Sequence, residues 1–416
     1  MSDAFCLTRR SLLGASLAVG LTRGATAGPT RPARPERPGS YDAGIPRFAL
    51  PVASSRQLAA ALRRSRPTEI VLADGIYEHD GPVVARAGHR LWARNPPVRG
   101  VPRAVLHYGL DFGRFPRFAV RGVGFALTAP EQAAVDGTYV AAVLNHVTAE
   151  SVGGVITDCA IDGGFAITQG LQFGCPRGAV VRRCVISRCT DEGLRISDNR
   201  FDSTVRITAI SDLEISQIAR DPRGSSDGRA EAGLWVGHVV VKGVQRIRVR
   251  DTGWMGLWTG NASRGTVFSD LDIDTASGVA PDTGKHASFG IYLERYNGVR
   301  GSGQGGNTYE RFALGPSLEV GITNEWDEGR AGDQASNGAT FRDGRIRSSR
   351  TGINLGEGTL APTIENVWFA GQSDAAIVDS TNHPPARDAA SSSARISGIH
   401  TSSSAGGVVV RYGGSS

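Results

Sequence analysis

A chain of 416 residues is long enough for two or three ordinary domains. Its 55 glycines, about 13% against a usual ~7%, point instead to one repetitive unit with many tight turns. The net charge of +6 and pI near 9.3 suit an acidic partner, but arginine supplies 44 of the 46 basic residues and no basic block interleaves with aromatics, which argues against nucleic acid.

In chain order, the first element is an address. Thr8-Arg9-Arg10-Ser11-Leu12-Leu13, the apolar run Leu12 to Leu21 and the small residues Ala25-Thr26-Ala27 resemble a twin-arginine export signal with its cleavage site. A general secretory signal with adjacent arginines is the alternative. The expected organisation is a signal peptide at 1–27, a Pro/Arg-rich disordered linker at 28–47, a single repetitive domain at 48–413 and a tail at 414–416. No later apolar run approaches the ~18 residues of a transmembrane helix.

Residues 55–64 follow as an amphipathic helix, with Leu58, Ala61 and Leu62 on one face and serine at its start. After it comes Thr68-Glu69-Ile70-Val71-Leu72-Ala73-Asp74-Gly75-Ile76-Tyr77-Glu78, a strand, a turn and a strand. Then a short pattern recurs: apolar, variable, often Asp, Asn or Gly, then apolar, variable, apolar. Copies include Val120 to Phe125, Ile156 to Ile161, Val181 to Ile186, Ile210 to Ile215, Phe268 to Ile273, Phe341 to Ile346 and Ile364 to Phe369, with weaker ones around Ile247, Phe312 and Gly398. Their centres are 36, 25, 29, 34, 24, 41, 32, 23 and 31 residues apart. A second pattern, a small residue and then an apolar one, follows the later copies, as in Gly193-Leu194, Gly233-Leu234, Gly256-Leu257 and Gly290-Ile291. Period-2 alternation in each copy means a strand with one buried face. The shortest spacings fit three strands and three turns, so the expected fold is an all-β right-handed parallel β-helix with an N-terminal capping helix.

The capping helix followed by "IVLADGIYE" resembles the opening of pectate-lyase-like β-helix proteins, especially the alginate lyase and chondroitinase B group. The resemblance is close only in this opening and implies the fold. Lyases of that group remove a uronic acid proton with a basic residue, but their lysine and arginine motif has no residue-by-residue match in this chain. Cys159 and Cys184, one repeat apart, are expected to stack inside as a buried ladder, with a disulfide as the alternative. The cysteines lack paired CxxC spacing, and neither a metal nor a cofactor is expected. Gly301 to Gly306 matches GxGxxG but precedes a strand; Gly224 to Gly228 matches GxSxG within a polar insertion. Both read as loops.

Aligning the second pattern places candidate chemistry in vertical files. Leu194, Leu234, Leu257, Ile291, Ile322 and Ile353 face inward. Arg195, Trp235, Trp258, Tyr292, Thr323 and Asn354 form an outward file whose three aromatics suit sugar rings. The next outward file holds Ser197, Gly237, Gly260, Glu294 and Glu325. Glu294 and Glu325 on adjacent coils would stand about 5 Å apart, a spacing like that of the retaining glycosidase pair. His238, Arg295 and Asp327 flank them as further binding candidates. Lys242 is the candidate base for β-elimination. Long insertions at 216–231, 275–288 and 327–337 would wall a cleft. The expected partner is a polysaccharide, acidic or neutral, bound by a monomer. Lyase, hydrolase and non-catalytic glycan binding all stay open.

The export reading has a direct test. A reporter fused after Ala27 should leave the cytoplasm only with residues 1–27 attached, and Arg9→Lys with Arg10→Lys should block it. Unchanged export of the double variant would point to the general secretory route.

Overall fold

The computed structural model describes residues 45–98, 100–113, 115, 117–136, 139–145, 154–174, 178–197, 206–207, 209–219, 232–237, 240–241, 243–260, 265–275, 288–293, 306–324, 336–355, 359–360, 362–379, 394–402 and 410–412. They form a right-handed parallel β-helix. Three parallel sheets run its length, and each buries one continuous column. In the first sheet Leu91, Val120, Ile156, Val181, Ile210 and Val244 stack in register and continue to Phe341 and Ile364. The second sheet stacks Tyr77, Leu106, Phe125, Ile161, Ile186, Ile215 and Val249. The third carries Leu110, Val143, Leu171, Leu194, Leu234, Leu257, Ile291, Ile322, Ile353 and Ile377. Within these columns, side chains that fill identical positions stack on themselves, as the Phe268, Tyr309 and Phe341 rings do at 4.9 and 5.2 Å.

The first and second sheets meet at a corner one residue wide. Asp158, Arg183, Asp212, Arg246, Asp270, Arg311, Asp343 and Asn366 occupy it on successive coils, all with φ between 50° and 58°. This left-handed conformation explains why Asp, Asn or Gly recurs there in the sequence. It also corrects one register: Gly398, at φ 61°, fills the corner, and the apolar centre of its copy is Ile399, opposite Val367. The corner side chains pair up the stack. Arg183 donates to both oxygens of Asp158 at 2.6 and 2.9 Å, and Arg246 to both of Asp212 at 2.5 and 2.9 Å. Arg311 reaches Asp270 at 2.9 and 3.3 Å, and Asn366 donates to Asp343 at 2.7 Å. The Arg246 guanidinium holds the Asp212 carboxyl below its ordinary range.

Immediately inside the corner, Cys159 and Cys184 stack as expected, buried and as free thiols together with Cys189. Burial, with Cys184 alongside, pushes the Cys159 thiol well up, so little thiolate forms to oxidise. Where the column needs room, glycine replaces the apolar centre: a Cβ on Gly344 would fall 2.1 Å from the Phe312 ring, which fills that space from the coil below.

Helix α1 (Ser55–Leu62) closes the N-terminal end, shorter by two residues than the expected 55–64. Ser54 caps it by accepting from the Gln57 amide, and the Gln57 side chain accepts from the Ala53 amide in return. Leu58 and Leu62 are fully buried. The stack begins at Leu50–Val52, which pairs in parallel with Glu69–Leu72. The strand Thr308–Asn324 confirms that no helix follows the GxGxxG segment. No helix among the described residues is long and apolar enough to cross a membrane.

His89 sits fully buried beside the Leu62 and Arg64 backbone at the end of α1. Burial lowers its pKa below the usual ~6.5. The folded protein therefore holds it neutral, and protonation favours the unfolded chain. Its contribution is intact above about pH 6.5 and is lost as pH falls toward the lowered folded value. Melting temperatures at pH 7 and 5 should show a larger drop for the native chain than for His89→Leu. Equal drops would remove His89 from the acid response.

Candidate functional site

The outer face of the third sheet brings two files together. Gln172, Arg195, Trp235, Trp258, Tyr292, Thr323 and Asn354 stack in the register expected from the sequence. A second file, Gln169, Glu192, Ala232, Met255, Phe289, Val320 and Thr351, runs beside it. The sequence reading missed this second file. Simple alternation puts a residue two before Leu194 on the inner side, but the glycine between them breaks the alternation. Gly193, Gly233, Gly256 and Gly321 themselves press against the second-sheet column, as at Gly256, where a Cβ would fall 2.1 Å from Ile273. The residue before each glycine, read as a column of its own, was the signal that could have found it.

The face changes character along the helix axis. At its N-terminal side are polar rows. The Gln169 amide donates to Glu192 at 2.7 Å, and Arg195 donates to the other Glu192 oxygen at 2.9 Å. Glu192 is only 1% exposed and Asp191 2%, so both carboxyls lie out of water. A buried charge of this kind persists only with close partners, which Arg195 and Gln169 supply to Glu192. The Arg195 guanidinium also lies 3.4 Å over the Trp235 ring, which joins the polar rows to an aromatic group.

That aromatic group corrects the expectation of an exposed platform. Trp235, Trp258 and Tyr292 project from the outer side of the sheet but are 4%, 8% and 7% exposed. Trp235 stacks on Trp258 at 4.8 Å, and Tyr292 meets Trp258 edge-on at 6.3 Å. Trp254, Met255 and Ala232 complete the cluster, with Phe289 packed against it. Rings this close on adjacent coils gain more by covering one another than by standing in water.

The remaining sequence-derived candidates, His238, Lys242, Glu294, Arg295, Glu325 and Asp327, lie outside the described residues, as do the GxSxG segment, Cys175 and most of the three insertions. The file that leads to Glu294 is in place as far as Ser197, Gly237 and Gly260. Among the described residues no group of His, Cys, Asp and Glu is arranged to hold a metal ion.

The fold has known counterparts. The catalytic domain of a GH87 alpha-1,3-glucanase variant in complex with tetrasaccharides matches over 90% of this chain and 70% of its own, with a TM-score of 0.51 and 11% identity. Another variant of such a domain, in complex with nigerose, matches over the same shares with a TM-score of 0.50 and 10% identity. An alginate lyase from Paenibacillus covers 88% of this chain and 98% of its own, at a TM-score of 0.39 and 12% identity, too distant to carry an argument. No protein-family model matches the chain, and no curated protein matches it in sequence. Identities this low establish the shared β-helix and nothing of the chemistry.

The buried cluster has a measurable consequence. Trp258→Ala should cost about 3–5 kcal/mol in denaturant unfolding, as for a core tryptophan. Trp368→Ala, at a ring 48% exposed on the second sheet, should cost under about 1 kcal/mol. Similar small costs for both would mean that Trp258 stands free of packing.

Proposed function

We propose that this chain is an exported protein that binds and processes a polysaccharide along the outer face of its third sheet. The observation that carries this is the continuous passage from the Glu192–Arg195 pair, through the Arg195–Trp235 contact, to the stacked tryptophans. A rigid row of polar and aromatic groups repeating at ~4.8 Å suits an extended chain of pyranose rings better than a compact ligand. The glucanase domains that share the fold hold sugars, tetrasaccharides in one case and nigerose in another, which supports a glycan on this scaffold. The flanking glycines Gly237 and Gly260 keep the adjacent file low, and on the reading of the sequence Glu294 and Glu325 continue it.

In this proposal Glu294 and Glu325 act on the glycosidic bond as acid and as base or nucleophile. Trp235, Trp258, Tyr292 and Arg195 position the chain, with His238, Arg295 and Asp327 at its margins. If the chemistry is instead β-elimination, Lys242 is the base. The deciding experiment offers the purified protein acidic and neutral polysaccharides while following reducing ends and the ultraviolet absorbance of unsaturated products. Hydrolysis predicts reducing ends without unsaturation, abolished by Glu294→Gln or Glu325→Gln with binding retained. Elimination predicts unsaturated products, abolished by Lys242→Ala. Retention of a glycan without cleavage by any variant would leave a binding protein, and no retention of any glycan would end the proposal.

A further inference from the structure

Helix α1 turns Leu58 and Leu62 to the core and leaves Arg56, Ala60 and Arg63, spaced i, i+4 and i+7, exposed on its other side. Facing them are turns that lead from the second sheet to the third on three successive coils: Glu78 to Asp80, His107, and Glu131 with Gln132. Helix and turns enclose a groove of about 820 Å³, within the ~300–1,000 Å³ of small-molecule sites. Uncharged side chains that line it hold its walls. Ser55 Oγ accepts from the Glu78 amide at 2.8 Å, and the Gln132 side chain accepts from the Thr128 amide at 3.0 Å. His79, in the tautomer that donates from Nδ1 to the Gly81 carbonyl at 2.8 Å, stands 5.5 Å from the buried Tyr108 ring. The charged side chains are spared that work. Glu78 has His107 at 3.6 Å, but the side chains of Arg56, Arg63, Asp80 and Glu131 make no ion pair or hydrogen bond with any described residue.

One wall therefore offers guanidiniums, which only donate, and the other carboxylates, which only accept. That mixture sets the class of ligand. An anionic chain is repelled by Asp80 and Glu131, and a cationic one by Arg56 and Arg63. A small zwitterion needs two poles, whereas here each sign is spread along the groove. The arginines lie two helical turns apart, about 10 Å along the axis, and Asp80 and Glu131 come from turns two coils apart, roughly the same distance. A hydroxyl both donates and accepts, and a neutral saccharide repeats hydroxyls around every ring. Ala59 and Ala60 keep the helix low between the arginines, a small apolar patch for the C–H face of a pyranose. We infer that this groove is a saccharide site of its own, holding a short neutral oligosaccharide between the arginines of α1 and the carboxylates of the facing turns. It goes beyond the third-sheet proposal and does not rest on it.

The test titrates the full mature protein, labelled at its alanine methyl groups, with five probes: maltotriose, cellotriose, mannotriose, trimannuronate and triglycine. At least one neutral trisaccharide should shift the Ala59 and Ala60 methyl signals, with the acidic and zwitterionic probes at least about tenfold weaker. Ala60→Trp fills the groove from an exposed helix position and should abolish the shift at Ala59. Arg56→Gln with Arg63→Gln should weaken binding by about tenfold or more with the melting temperature unchanged; this pair decides the matter if Ala60→Trp does not fold. Unaltered affinity in the double arginine variant would overturn the inference. So would still methyl signals with all three neutral probes, or trimannuronate or triglycine bound as tightly as the best of them. A neutral probe that shifts indole N–H signals but leaves Ala59 and Ala60 still would overturn the groove and favour the third-sheet proposal. Shifts confined to the groove would support it whatever becomes of that proposal.

Discussion

The structure depends most on one backbone conformation, the left-handed residue between the first and second sheets. One residue there turns the chain without a loop, so strands such as Val180–Ser187 run through the corner with both halves in register with the next coil. With this corner fixed, coils of very different length still stack, because extra residues go to the other turns. The cost is local. A left-handed non-glycine residue loses roughly 1–2 kcal/mol against the right-handed alternative, and the long side chains of Arg183, Arg246 and Arg311 are not the short polar groups that ease this conformation for Asp and Asn. Their placement is explained by what lies one rung below. Asp158, Asp212 and Asp270 occupy the identical corner on the preceding coils, and each arginine grips that carboxylate through two nitrogens. An exposed ion pair is worth only about 0–1 kcal/mol. Here, however, alternation also prevents the repulsion that a file of aspartates ~4.8 Å apart would suffer.

The second constraint is volume. Three columns must meet inside a coil of fixed width, and the third sheet gives way at its glycines. The second-sheet residues Ile215, Val249, Ile273 and Ile346 occupy the room that a Cβ on Gly193, Gly233, Gly256 or Gly321 would need. This close approach bends the third strand away from simple alternation, so the residue before each glycine and the residue two after it lie on one outer face. The outer face of the third sheet is thus a product of core packing. Glu192 meets Arg195, and Met255 meets Trp258, because Gly193 and Gly256 have no side chains.

These two constraints show why the fold was legible from sequence and the site only partly so. The corner residue writes itself into every coil as Asp, Asn, Gly or Arg between apolar positions, and stacking makes every copy repeat the same grammar. The file Arg195, Trp235, Trp258, Tyr292 follows from the same repetition. Its burial does not, because exposure depends on what packs over a strand, and Trp254 comes from a turn that the alternation does not include. Likewise Gln169 and Glu192 were hidden by the assumption of strict alternation through a glycine, although both stand in plain register on adjacent coils.

A solenoid builds its outer face by repetition, so a functional row on it is expected where repetition changes from coil to coil. The inner column of the third sheet stays leucine or isoleucine from Leu171 to Ile377, with little to distinguish one coil from another. The outer files pass from glutamine to a glutamate–arginine pair, then to tryptophan, tyrosine, threonine and asparagine over the same coils. Nothing in the core requires that gradient, since alanine or serine at each outer position would satisfy the sheet. It does require a cover: the tryptophans remove large rings from water while leaving two N–H groups without an acceptor among the described residues. Core stability alone does not explain unmade donors inside a packed aromatic cluster, any more than it explains the change of residue type from coil to coil on this face.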